Sequence, residues 1–78
     1  MPKLNPCTPR KALKKLKRAG FIETHQRGSH LYLEDKEGNI VCVPIHGGKE
    51  IPIGTLANIV LRQAYLSVEE FNNLGGWI

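Results

Sequence analysis

The sequence predicts an α+β fold in which a three-stranded antiparallel sheet carries helices on one face. Three observations predict it. Residues 8–19 have an amphipathic helical pattern, residues 21–46 alternate between apolar and polar side chains with glycine-containing turns, and helical periodicity returns after residue 52. The predicted order is α-β-β-β-α, followed by a short C-terminal helix.

The first helix should begin with Thr8 as N-cap and Pro9 at its first position, and Gly20 should end it. One side of this helix is apolar and is expected to pack, whereas the other side is expected to face solvent. The solvent side forms a predicted cationic ridge, which consists of Arg10, Lys11, Lys14, Lys15, Lys17 and Arg18.

Residues 21–26 form the first predicted strand, and a turn at 27–28 leads to the second. In the second strand two leucines lie two residues apart and should face the core. This spacing places His30 and Tyr32 on the opposite face, close to the turn. An imidazole there, beside cations, is suited to contacting or cleaving a phosphodiester, although a solvated surface histidine is the simpler interpretation.

The third predicted strand spans 40–46 and follows a turn at 35–39. Pro44 has no N–H to donate to a neighbouring strand, so this strand is expected at a sheet edge. A loop at 47–50 then leads to the second helix, which Pro52 opens and which ends near Ala64.

Apolar residues recur along this second helix and should form a stripe against the sheet. The stripe consists of Ile53, Leu56, Ile59, Val60 and Ala64. Ser67 and Glu70 then form a capping box for a third helix that ends near residue 73, and Phe71 and Leu74 should pack it against the core.

Composition limits the classes of function. The 78 residues suffice for one small domain over 1–78, with an extended lead-in at 1–7 and a loose tail at 75–78, and leave no room for a deep substrate cavity. No stretch is long and apolar enough to span a bilayer, and the N-terminus lacks the apolar segment of a signal peptide. We therefore expect a cytoplasmic protein with no membrane partner.

Cysteine and histidine spacing argues against metal binding. Cys7, Cys42, His25, His30 and His46 include no CxxC, HxxxH or similar ligand pair, so the sequence predicts no metal and no other cofactor. Without an export signal, both cysteines are expected as free thiols.

The net charge of +4 is distributed unevenly. Up to residue 30 there are eight basic residues and one acidic residue, a charge of 8 − 1 = +7, whereas the remainder carries 3 − 6 = −3. A polyanion should meet the N-terminal part first. A solvated helix face is the alternative interpretation of the same charges.

Several short motifs occur at spacings typical of one protein family. They are Gly20-Phe21, Gly28-Ser29-His30, Val43-Pro44-Ile45-His46, Glu50-Ile51-Pro52, Gly54-Thr55-Leu56, Gln63-Ala64 and Leu66-Ser67-Val68-Glu69-Glu70-Phe71. The predicted layout resembles the double-stranded RNA-binding domain. With these motifs, residues 8–74 resemble the HicA family, the small toxins of HicAB toxin–antitoxin systems.

This resemblance implies a metal-independent endoribonuclease, an mRNA interferase, that uses His30 as general acid or base. It also implies mRNA and a HicB-type antitoxin as partners, a monomeric free toxin and a role in stress response. His46 lies in a Pro-x-His segment that recurs in the family and is a secondary candidate. His25 matches no motif and is expected to be solvated.

RNA contacts are expected from groups near His30 and from the cationic ridge. These groups are Lys11, Lys14, Lys15, Arg18, Arg27, Ser29, Tyr32 and Lys49. Tyr65 departs from the family pattern, because relatives commonly carry a glycine there. A tyrosine is strained in a left-handed turn, so a different local turn is expected. Two other classes remain open, a non-catalytic RNA-binding module and an interaction protein that retains only its antitoxin surface.

Overall fold

The computed structural model describes residues 3–45 and 49–74. The elements, in order, are α1 (Pro9–Arg18), β1 (Ile22–Arg27), β2 (His30–Glu34), β3 (Ile40–Pro44), α2 (Ile53–Ala57, continuing with π-helical geometry over Asn58–Gln63) and α3 (Val68–Asn73). The predicted α+β fold is confirmed. His46 and the expected tail at 75–78 lie outside the described residues. Among the described residues, no helix combines the length and apolar character needed to traverse a bilayer.

Helix α1 forms where the sequence predicts because its two ends are specified locally. The Thr8 hydroxyl accepts a hydrogen bond from the Lys11 N–H at 3.3 Å, and Gly20 follows the helix with a φ of +105°. Ala12 and Leu16 are fully buried, so the apolar side of the helix packs into the core as expected.

The three strands form an antiparallel meander in the order β1-β2-β3. Strand β3 is outermost, as Pro44 predicts. Strand β1 reaches Arg27, which pairs with His30, so Gly28 and Ser29 alone connect the two strands. Gly28 has a φ of +57°, as the first position of such a two-residue loop requires.

The two faces of this sheet differ in what covers them. The covered face packs into a single apolar core together with α1 and α2, and its side chains are Leu31, Leu33, Val41 and Val43. The opposite face, called the open face below, carries side chains that are exposed or half-buried. The row of side chains nearest the β1–β2 loop consists of Arg27, His30 and Pro44. The next row consists of His25, Tyr32 and Cys42.

The second helix differs from its prediction in two ways. Ile53 is 55% exposed, so its assignment to the buried stripe is wrong; it is the first helical residue, before the part of the helix that contacts β3. From Asn58 the backbone has π geometry, and the Ala64 N–H donates to the Ile59 carbonyl five residues back. The remaining stripe residues are buried as predicted.

The π-helical segment ends in a left-handed residue. Tyr65 has a φ of +55°, and the residue is 71% exposed. The Leu66 N–H then donates to the Val60 carbonyl at 2.9 Å, which closes the end of the helix. The turn therefore keeps a left-handed form despite the steric cost expected for a tyrosine.

Helix α3 begins with the predicted capping box. The Ser67 hydroxyl accepts from the Glu70 N–H at 3.0 Å, and the Glu70 carboxylate accepts from the Ser67 N–H at 2.9 Å. These hydrogen bonds lower the pKa of Glu70 below its ordinary value. Phe71 is fully buried and Leu74 packs at the edge of the core, as predicted.

Lys15 does not belong to the cationic ridge. It is 8% exposed, and its Nζ donates to the carbonyls of Phe71 and Asn72 at 3.2 Å each. The same Nζ lies 5.1 Å from the centre of the Phe71 ring. Carbonyls in the last turn of a helix lack donors within the helix, and Lys15 supplies one. The expectation that Lys15 faces solvent and contacts RNA is therefore wrong, because α3 packs over it.

Candidate active site on the open face of the sheet

His30 occupies a well-supported position at the beginning of β2. Its side chain is exposed, and its partner across the sheet is Arg27. Directly opposed side chains of neighbouring strands share a face, with Cβ atoms about 5 Å apart. Arg27 is thus the cation that the strand register brings beside His30.

The loop that precedes His30 is held on both sides. The Gln26 Nε2 donates to the Gly28 carbonyl at 3.0 Å, and the Ile45 N–H donates to the Ser29 carbonyl at 2.7 Å. Ser29 is half-buried. These hydrogen bonds fix the backbone on which His30 is mounted, as a site for precise proton transfer requires.

A shallow cleft of about 340 Å³ lies beside His30. It separates the open face from α2 and its π-helical continuation. The sheet lines it with His30, Cys42 and Pro44, and the second helix and its first turn line it with Pro52, Thr55, Asn58, Ile59 and Gln63. Gln63 also accepts a hydrogen bond from the Cys42 N–H at 2.9 Å, which ties the helix to the outer edge of β3. The imidazole therefore faces a groove with hydroxyl and amide groups on its far side.

Tyr32 lies in the next row of the open face and is half-buried. A hydrogen bond with the Cys42 thiol, together with the charge that this thiol can carry, raises the pKa of Tyr32, while Arg27 acts in the opposite direction. The phenol consequently stays protonated and acts as a hydrogen-bond donor or acceptor rather than as a base.

His25 is exposed, as expected, and it also belongs to the open face. Its ring stacks on Tyr32 with the centroids 4.5 Å apart and the planes 4° from parallel. A bulge at Thr24 precedes it, where the strand register shifts between Glu23 and His25.

The cations at the C-terminal end of α1 do not lie beside His30. Lys17 pairs with Glu23 near the start of β1, so the end of α1 that carries Lys17 and Arg18 lies at that end of the strand. Five residue steps, or roughly 16 Å, separate Ile22 there from Arg27. Arg10, Lys11 and Lys14 are exposed, on a helix that packs against the covered face.

The remaining predicted residues divide into two groups. Arg27, Ser29, His30 and Tyr32 come together at one end of the sheet. Lys49 is exposed, and no contact in the described part of the chain joins it to the cleft.

Neither cysteine forms a disulfide, as expected. Burial raises the pKa of the Cys7 thiol, although Lys15 and Lys11 partly oppose this effect. Within residues 3–45 and 49–74, no three His, Cys, Asp or Glu side chains are placed to hold a metal ion.

Sequence reasoning did not identify the far side of the cleft. Thr55, Asn58 and Gln63 face His30 only because the second helix packs along β3, which no local pattern specifies. The pairing of His25 with Tyr32, in contrast, can be predicted from the sequence. A two-residue loop pairs Arg27 with His30, and two further steps along both strands pair His25 with Tyr32.

Comparison with known proteins assigns the chain to a family. The family model described as "HicA toxin of bacterial toxin-antitoxin" matches residues 9–66, which include α1, the whole sheet and the second helix. No curated protein matches the chain. The match covers most of the 78 residues and contains His30, Arg27 and every described residue that lines the cleft. The chain therefore belongs to the HicA toxin family of bacterial toxin–antitoxin systems.

Proposed function

We propose that this toxin is an endoribonuclease that cleaves mRNA without a metal ion, with His30 as its general acid or base. The observation that carries the proposal is the exposed imidazole beside Arg27 on a hydrogen-bonded loop at the mouth of a cleft. An imidazole both accepts and donates protons near neutral pH, and a guanidinium binds phosphate through two parallel hydrogen bonds.

In the proposed reaction, the ribose 2′-hydroxyl attacks the adjacent phosphorus, and the bond from phosphorus to the 5′-oxygen breaks. His30 removes the proton of the attacking hydroxyl or supplies a proton to the departing oxygen. Either transfer contributes about 10²–10⁴-fold to the rate. Arg27 stabilises the negative charge that develops on the phosphoryl oxygens.

Other groups near the imidazole hold the RNA in place. The neutral phenol of Tyr32 and the polar side chains across the cleft can hydrogen-bond a phosphate or a ribose, and Ser29 shapes the loop. Lys11 and Lys14, exposed on α1, attract more distant phosphates through their charge. Arg18 and Lys49 are exposed as well and contribute to the same field.

A HicB-type antitoxin is the proposed protein partner, in the cytoplasm. It would neutralise a monomeric toxin by covering the open face, so that His30 and Arg27 no longer reach RNA. The toxin–antitoxin family match supports an antitoxin as partner.

A non-catalytic RNA-binding module is the second candidate. His30 is the only imidazole among the described residues that line the cleft, and a single histidine cannot perform both proton transfers at once. That observation favours a module that holds RNA without cleaving it.

Cleavage of a labelled single-stranded RNA in EDTA by the full chain separates these candidates. We expect His30→Ala to lower the cleavage rate by about 10²-fold or more. Glu34→Ala is the matched control, since Glu34 is exposed on the same strand at the end away from the loop and should leave the rate unchanged. Cleavage by His30→Ala at the parent rate would contradict the assignment, and RNA binding by the parent without cleavage would favour the module.

A further inference from the structure

The His25–Tyr32 pair is a preformed aromatic surface that the proposed chemistry does not use. The two residues lie directly opposite each other on β1 and β2, and their rings are parallel. The Thr24 hydroxyl donates to the Tyr32 carbonyl at 3.2 Å and lies 3.2 Å from His25 Nδ1, so the imidazole is held at its edge. Because the rings are already ordered, these two side chains lose little conformational entropy when a ligand stacks on them.

One side of this pair is open to a ligand. Cys42 flanks Tyr32 on β3, and Tyr32 covers one face of the His25 ring. Strand β1 is an edge strand, like β3, so no strand among the described residues covers the outer face of His25. His25 is exposed. A flat ring can therefore extend the stack outward from Tyr32 and His25.

The surroundings of the pair favour a nucleotide as that ligand. Arg27 and His30 occupy the adjacent row of the open face, two residues or about 7 Å along the strands. Glu34, the acidic side chain of this face, lies in the row beyond Tyr32, away from Arg27. A stacking surface next to a cation is the combination with which proteins hold single-stranded RNA.

We infer that His25 and Tyr32 form a nucleobase subsite, in which a base of the RNA stacks on the outer face of the His25 ring while its phosphate reaches Arg27 and His30. This inference rests on the proposed function, since it names how the substrate is held at the same site. Stacking accepts every base, because each has a π face, so the subsite secures the strand without requiring a particular sequence.

Binding measured in a His30→Ala chain tests the subsite without cleavage. The probes are a fluorescently labelled single-stranded RNA and a fully abasic phosphodiester oligomer of the same length and charge. In this background, His25→Ala should weaken binding of the RNA by roughly 5- to 150-fold and leave binding of the abasic oligomer unchanged. His25→Phe is the conservative control, because it keeps a stacking ring and should retain tight, base-dependent binding.

Three results would overturn the subsite. In the first, His25→Ala binds the RNA as tightly as its parent, which would indicate that the pair contacts a protein instead. In the second, His25→Phe loses as much affinity as His25→Ala. In the third, binding of the RNA and of the abasic oligomer weakens equally, which indicates a charge or folding effect.

The cleavage assay separates this inference from the proposed function. Cleavage by the parent chain together with base-independent binding would overturn the subsite alone. Base-dependent binding without any cleavage would overturn the nuclease and retain the subsite.

Discussion

The two faces of the sheet use the same strands for different purposes. On β2, Leu31 and Leu33 are buried beneath the helices, whereas His30 and Tyr32 point to the open face, outside the core. Successive side chains of a strand alternate between faces, so one segment supplies both the core and the candidate site. Stability and chemistry are thereby encoded at alternate positions, and each can be altered with little effect on the other.

The largest contrast is expected between two positions of β2 whose side chains lie on opposite faces of the sheet. Leu33→Ala removes a fully buried side chain and should lower the free energy of unfolding by about 2–5 kcal/mol. His30→Ala removes an exposed side chain and should change the free energy of unfolding by no more than about 0.5 kcal/mol, while lowering the cleavage rate by about 10²-fold or more. Urea unfolding followed by circular dichroism measures both. Equal losses of stability would mean that the two faces are not independent.

Helix α1 repeats this contrast with two adjacent lysines. Lys15→Ala leaves the Phe71 carbonyl with the Leu74 N–H as its donor, removes the Lys15 donor of the Asn72 carbonyl, and should cost about 1.5–3 kcal/mol of stability. Lys14→Ala, at an exposed position, should cost no more than about 0.5 kcal/mol.

RNA binding should depend on Lys14 and not on Lys15, which is the reverse of the order expected for stability. Lys14→Ala should reduce the slope of log affinity against log salt by about 0.7, the value for one phosphate contact on a single strand. Lys15→Met, which keeps an apolar stem of similar length, should leave that slope unchanged. A slope that responds to Lys15 and not to Lys14 would contradict the burial of Lys15.

The smallest effect concerns the two thiols. Cys7 is buried and its pKa is raised, so little reactive thiolate forms, whereas Cys42 is half-buried and lines the cleft. Iodoacetamide should therefore modify Cys42 at least several-fold faster than Cys7, as peptide mass spectrometry can determine, with Cys42→Ser as control. Faster modification of Cys7 would show that the core opens more readily than the cleft admits the reagent.

The site was only partly predictable from the sequence. Alternation along the strand predicts that His30 lies on the face opposite the leucines. A loop of two residues then predicts that Arg27 lies beside it. The same register also predicts that His25 lies opposite Tyr32, but no sequence motif contains both residues. Lys14 and Lys15 were both assigned to the cationic ridge, but helical periodicity places Lys15 between Ala12 and Ala19, at the edge of the apolar side, and this local signal was missed.

By itself, the sequence determined the order of the elements, the ends of α1, the capping box of α3 and the faces of β2. Those features depend on periodicity and on hydrogen bonds between residues at most a few positions apart. Only the tertiary structure decided that Lys15 caps α3, that the second helix supplies the far wall of the cleft, and that the end of α1 with Arg18 lies away from His30. These outcomes depend on how segments distant in the chain pack together, and local propensities do not contain that information.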